Sequence, residues 1–300
     1  MNENSVLMAC DALVDFHAWD PTKIDARGWL ANFDIKDRAL AESLLSRFSF
    51  YADHLVDQLF VSAFQNISNH IRPDGAPFEE TRALWRAFCS TMLITPVQGE
   101  DPNPSDSGWL FARKARQTLN IDQAQLFNPA QAAARVAAGD AKAVVFVDDF
   151  VGSGEQFRRT WTRRHPTPDG GSVSFHEAAH AHPDAKFFYC NAMTTSHGLG
   201  RIRQAAPNVH VSAGNVIPGD HSLSSPQSAL WSSDQRAKGI EMLRRVSFDL
   251  GYGEDGGGLN DWQGFHRLGL GLAFEHSVPD ASLPIFFTDR NGWTPLVKRS

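Results

Sequence analysis

Ala143-Val144-Val145-Phe146-Val147-Asp148-Asp149-Phe150-Val151-Gly152-Ser153-Gly154-Glu155-Gln156 runs from five apolar residues through two carboxylates into a glycine-rich turn. The continuous apolar run predicts a buried strand over Ala143 to Val147, and Gly154 to Arg164 reads as the helix that follows. A strand, a small-residue turn and a helix in that order have a physical use. Ligands of open parallel sheets bind beyond the carboxyl ends of strands. Glycines let backbone N–H groups approach a phosphate, and a helix N-terminus adds free donors and partial positive charge. Asp148 and Asp149 stand at the same end, where adjacent carboxylates accept hydrogen bonds from vicinal hydroxyls.

The flanking chain has the same alternation. Met92 to Val97 is a second short buried strand candidate. A polar loop from Gly99 to Gly108 follows it, then a helix from Trp109 to Leu119 with Ser107 as a plausible N-cap. Lys186 to Cys190 and Val209 to Ser212 are further strands, and Leu268 to Phe274 and Leu283 to Thr288 suggest two more. Strands alternating with helices imply an α/β fold with a mostly parallel sheet. Ahead of it, Asp37 to Ile71 repeats apolar residues every three to four positions (Leu40, Leu44, Phe48, Tyr51, Leu55, Leu59) and reads as helix. A second helical stretch follows from Glu79 to about Cys89. The expected organisation is a helical N-terminal portion over residues 1–90 and a core over 91–300.

The strand with its two acids and its loop resembles the signature of type I phosphoribosyltransferases. The resemblance implies that Asp148 and Asp149 contact ribose hydroxyls and that Gly152, Ser153 and Gly154 wrap the 5-phosphate of phosphoribosyl pyrophosphate. It departs from the pattern in two places. The family commonly has threonines where this chain has Gly152 and Ser153, and a small residue where it has Glu155. A carboxylate there repels a phosphate dianion unless it points away; Gln156 is a replacement donor. The earlier segment matches the pyrophosphate loop of the same enzymes, with Gly99, Ser105, Ser107 and Gly108 as donors and Arg113 or Lys114 to offset charge.

At the C-terminus, Phe274-Glu275-His276-Ser277-Val278-Pro279-Asp280-Ala281-Ser282-Leu283-Pro284 and Gly292-Trp293-Thr294-Pro295-Leu296 resemble a bacterial phosphoribosyltransferase-like family of conflict and anti-phage gene clusters, some of them retrons. That family usually has asparagines where this chain has Ser277, Asp280 and Ala281. The resemblances imply phosphoribosyl transfer to an unknown acceptor, with Mg2+ carried by the pyrophosphate and Asp148 and Asp149 as the catalytic pair. A protein or ribonucleoprotein partner of a defence system is compatible with them. The alternative is a non-catalytic sensor or regulatory subunit that binds a phosphorylated, nucleotide-like ligand in the same pocket.

Other motifs carry less. His176-Glu177-Ala178-Ala179-His180 spells a zinc-protease string, but Pro183 follows too soon for a long active-site helix, so a short solvated helix is the expectation. Thr194-Thr195-Ser196-His197-Gly198 suits either ligand contact or a capping turn, and His276 is an acid or base by residue type alone. An apolar strand ending in two aspartates also occurs in nucleotide-hydrolysing motors, but no Gly-Lys-Ser/Thr phosphate loop accompanies it.

Composition sets the outer limits. The 300 residues carry a formal net charge of -6, so generic nucleic-acid binding is not expected, although Arg158-Arg159 and Arg163-Arg164 are local basic pairs. Three cysteines, Cys10, Cys89 and Cys190, form no CxxC pair, which argues against a disulfide scaffold and for a reducing, cytoplasmic setting. The N-terminus lacks the basic start of a secretion signal, and no stretch approaches the ~20 uninterrupted apolar residues of a membrane span.

Overall fold

The computed structural model describes residues 3–99, 107–167 and 170–299, with side chains from residue 5. It is an α/β structure with mostly parallel sheets. The chain forms two compact units, residues 57–217 and residues 1–56 with 218–300. The grouping therefore differs from a cut at residue 90. The helix Phe78–Thr91 belongs with the sheet, while the first 56 residues share a core with the C-terminal segment.

Four parallel strands make the sheet of the 57–217 unit: β1 (Leu93–Pro96), β2 (Ala143–Val151), β3 (Lys186–Thr195) and β4 (Val209–Ile217), in that spatial order. β2 is central, as its unbroken apolar run predicts, and its register pairs Ile94 with Val145 and Asp148 with Asn191. Six helices of this unit are α1 (Phe78–Thr91), α2 (Ser107–Thr118), α3 (Pro129–Ala137), α4 (Glu155–Thr162), α5 (Phe175–Ala181) and α6 (Ser196–Ala205). Alternate strand residues point to opposite faces. On one face Phe146 meets Phe157 of α4 edge-on at 5.2 Å and Phe175 of α5 at 4.7 Å, while Phe157 stacks on Tyr189 at 4.4 Å. On the other, Phe188 meets Phe88 of α1 at 5.4 Å. The Ser212 hydroxyl donates to the carbonyl of Ala63 in the helix Asp53–Asn66, and Phe60 of that helix packs on Phe111 of α2 at 5.0 Å. Each fully buried phenylalanine contributes about 1.5–3 kcal/mol, so these contacts fix the helices that carry the site.

β2 and β3 are longer than their apolar runs suggested. β2 continues through Asp148 and Asp149 to Val151, and β3 continues past Cys190 to Thr195. Their polar ends are paired in the sheet, so backbone bonding extends strands that hydrophobicity alone would stop.

The other unit corrects three expectations. Asp37 to Ile71 is not one helix: it breaks into Arg38–Leu45, the strand Ser49–Tyr51, Asp53–Asn66 and Ser68–Ile71. Phe48 and Phe50 take their places in the core as extended or turning chain, and Ser49–Tyr51 pairs in parallel with Leu272–Phe274. The second expected tail strand is absent, since Pro284–Phe286 is a turn of 3-10 helix. Pro284 has no N–H for a sheet ladder. The Ile285 carbonyl instead accepts from the indoles of Trp29 at 2.8 Å and Trp293 at 3.0 Å. The first tail strand begins only at Leu272, because His266, Arg267 and Gly269 all have positive φ, which interrupts extended chain.

Candidate functional site

The site forms where β2 delivers Gly152, Ser153 and Gly154 to the first turn of α4. Gly154 caps this helix at φ 76°, ψ 1°, a left-handed conformation that a side chain disfavours. Among the described residues the N–H groups of Ser153, Gly154 and Gln156 have no acceptor, and the N–H of Glu155 lies 3.3 Å from the Ser153 hydroxyl. Gln156 stands in the first turn of α4. The loop is held from the side by α6. Thr195 caps α6 through Gly198 N at 2.9 Å, and its hydroxyl donates to the Gly152 carbonyl. A Cβ on Gly198 would lie 2.4 Å from that carbonyl, and one on Gly154 would lie 2.9 Å from the Gly198 carbonyl. The two glycines let the loop and α6 meet backbone to backbone. The segment Thr194–Gly198 is therefore a capping turn that supports the loop.

The two acids are not equivalent. Asp148 is buried and its oxygens are already engaged. Ser107 donates its hydroxyl to Oδ1 at 2.7 Å, the Asp149 N–H reaches Oδ1 at 3.0 Å, and the Tyr189 hydroxyl reaches Oδ2 at 3.1 Å. Burial, then the adjacent Asp149 charge, push the Asp148 carboxyl well above the usual carboxylate range, against the Ser107 hydrogen bond. Burial, and then the charge of Asp148, likewise raise the Tyr189 phenol. Asp149 accepts the Phe150 N–H at 2.7 Å and is slightly more exposed than Asp148. Asn191 is fully buried beside Asp148 in the register, and among the described residues neither end of its amide has a hydrogen-bond partner.

Glu155, the residue out of keeping with a phosphate loop, is turned onto arginines. Its carboxylate bonds Arg158 at 2.6 Å and Arg159 at 3.0 Å, and Arg201 of α6 lies at 3.6 Å. The hydrogen bonds from Arg158 lead in drawing its carboxyl down to about 2. Its charge is thereby spent on neighbours, in a helix first turn where a carboxylate is favourable.

The earlier loop is only partly described: Ser105 lies outside the described residues, as do the rest of 100–106. Gly99 is tied to α4, where its carbonyl accepts from Arg163 at 3.0 Å. Ser107 opens α2 with its hydroxyl on Asp148, so it links that helix to β2. Gly108 packs its Cα on the end of β1, for a Cβ there would lie 2.3 Å from the Val97 carbonyl. Lys114 is committed to Asp57 at 2.5 Å. The structure thus brings Ser107 together with Asp148 and gives Gly108 a packing position.

Other candidates lie elsewhere. Glu177 serves in a capping box, accepting from the Ser174 N–H at 2.8 Å, while His176 and His180 are exposed on α5. His276 belongs to the other unit, where Nδ1 meets Asp53 at 2.8 Å and its ring stacks on Phe274. Tyr189, Asn191 and Arg201 were not singled out in the sequence. The signal for the first two was a tyrosine and an asparagine, two residues apart, in an otherwise apolar run after Lys186.

The family model described as PRTase-CE matches residues 26–299. No curated protein matches the chain.

Proposed function

The chain belongs to PRTase-CE, a phosphoribosyltransferase-like family, and from that membership we propose that it binds phosphoribosyl pyrophosphate or a related ribose 5-phosphate at Gly152–Gly154. The observation that carries this reading is the loop itself. A central parallel strand feeds a left-handed glycine and a helix first turn whose N–H groups at Gly154 and Gln156 have no acceptor among the described residues. Such a turn is complementary to a phosphate dianion. Ser153 adds a hydroxyl, and Glu155, held by its arginines, does not oppose the charge.

Asp149 takes the ribose hydroxyls in this reading, and Asp148 orients the strand end while it holds Ser107 and Tyr189. The reaction breaks the bond between C1′ and pyrophosphate and forms one from C1′ to an acceptor, with pyrophosphate leaving. No side-chain nucleophile is needed. Positive charge developing on the ribose ring is offset by the Asp149 carboxylate. Magnesium suits the donor set, since the pyrophosphate and the ribose hydroxyls would supply its oxygen ligands, and it offsets the charge of the leaving group when bound. The tail motif around Glu275-His276 supports placement near the bacterial conflict branch, with a defence protein or ribonucleoprotein as partner. Among the described residues no helix is long and apolar enough to cross a membrane.

A sensor role is the second reading, favoured by one observation: Asp148 is closed off by Ser107 and Tyr189. Pyrophosphate release separates the two. Transfer or slow hydrolysis predicts release from phosphoribosyl pyrophosphate that is lost in Asp149→Asn. Binding without any release, with bases, nucleotides and nucleic-acid ends each supplied as acceptor, identifies a sensor.

A further inference from the structure

Ser107 opens α2 at the candidate site, and a different stripe of the same helix builds a second cavity. Trp109, Arg113 and Arg116 recur at helical spacing along α2 beside the buried Ala112, whereas Gly108, Phe111 and Ala115 are buried away from the cavity lining. With Leu126 and Phe127 they line a cavity of about 360 Å3. That volume lies within the ~300–1,000 Å3 of small-molecule sites.

The lining is selective in charge. Among the described residues no carboxylate contributes to it, on a chain whose formal net charge is -6. Arg116 is fixed by Gln123 at 2.9 Å. Arg113 makes no hydrogen bond or ion pair with any described residue, and neither does the Trp109 indole N–H. The guanidinium of Arg135 covers the Phe127 ring at 4.5 Å and adds a third positive charge beside the cavity. Asn128 and Gln131 are occupied with each other in the cap of α3. What the walls offer a ligand is an indole face with apolar neighbours and, one and two helical turns away, the guanidinium forks of Arg113 and Arg116. Guanidinium groups favour phosphate and carboxylate, and an indole favours a flat ring.

We propose that this cavity binds a nucleoside monophosphate or a ligand of the same make-up, a planar heteroaromatic ring bearing an anion. The ring lies against Trp109 and the anion on Arg113 and Arg116. This site is separate from the Gly152–Gly154 loop and does not depend on the assignment of that loop.

Calorimetric titration with AMP and UMP tests it, using the full chain and the Arg113→Ala, Trp109→Ala and Asp149→Asn variants. Arg113 is exposed, so its truncation leaves the fold in place. The expected result is binding of at least one probe, weakened about tenfold or more by Arg113→Ala, in line with loss of a charge-assisted hydrogen bond. Because AMP and UMP also carry a ribose 5-phosphate, the Arg113-sensitive binding is read in the Asp149→Asn background, where it persists, and adenosine without phosphate binds more weakly than AMP. The Trp109→Ala variant loses affinity for both probes. The proposal is overturned if neither probe binds at millimolar concentration. It is equally overturned if Asp149→Asn abolishes binding while Arg113→Ala does not, because the probe then sits at the loop.

Discussion

Asp148 carries the most quantitative expectation. Its oxygens receive Ser107 at 2.7 Å, the Asp149 N–H at 3.0 Å and Tyr189 at 3.1 Å. Truncation to alanine leaves the buried Tyr189 hydroxyl and the Asp149 N–H without an acceptor, at about 1–3 kcal/mol each. Ser107 is half-buried and can turn to water. Asp148→Ala should therefore cost roughly 4 kcal/mol of stability, the middle of that summed range. Asparagine behaves differently. Its carbonyl oxygen still accepts from Ser107 and the Asp149 N–H, and its amide can donate to the Tyr189 oxygen, so the cost should stay within about 1 kcal/mol. The pH dependence has a definite sign. The folded carboxyl titrates well above its unfolded value, so the folded state binds more protons over that interval. The stability contributed is fully present below about pH 4, the unfolded value, and is lost as pH rises through the folded value, by at most ~1.4 kcal/mol per pH unit. Asp148→Asn lacks this loss. Urea unfolding followed by tryptophan fluorescence from pH 4 to 8 reads both effects. The reasoning fails if the wild-type and asparagine curves stay parallel across that range, or if alanine is tolerated as well as asparagine.

The remaining expectations concern the loop. Glu155→Ala should leave affinity for a phosphorylated ribose unchanged or improved, since it removes a nearby negative charge and releases Arg158, Arg159 and Arg201; its stability cost should be under about 1 kcal/mol because the arginines are largely exposed. A marked loss of affinity in calorimetry would show that the carboxylate itself contacts the ligand. Gly198→Ala places a Cβ 2.4 Å from the Gly152 carbonyl and 2.9 Å from a Val151 methyl, both on the strand-to-loop segment. The loop must shift, so affinity should fall about tenfold or more while circular dichroism keeps the native helix content. Full retention of affinity would mean that the ligand does not use this loop.

How far the sequence reached depended on what each residue type can signal. The apolar run Ala143 to Val147 announced a fully buried strand because both faces are covered, and it is the central strand. The helix after Gly154 followed from loop composition, and its left-handed glycine is the reason for that composition. The periodicity of Asp37 to Ile71 misled because Phe48 and Tyr51 stand at a helical three-residue spacing, whereas the residues that enter the core are Phe48 and Phe50, two apart as in extended chain. Leu283 to Thr288 looked like a strand because buried 3-10 turns and buried strands have the same hydrophobicity; only Pro284 distinguished them. At the site, residue types gave the acids and the glycines, but not their inequality. That Asp148 faces Ser107 and Tyr189 is a product of register between β2 and β3, which no single segment encodes. The two-unit grouping was hidden for a similar reason, since it joins the two ends of the chain.

The most direct test of the account is calorimetric titration of the full chain with phosphoribosyl pyrophosphate and magnesium, repeated on Asp149→Asn. The account predicts one site per chain and an affinity about tenfold or more weaker in the variant, the loss expected when a charge-assisted acceptor worth ~1.5–3 kcal/mol is weakened. Absence of binding to the wild-type chain, or binding that Asp149→Asn leaves untouched, would contradict it.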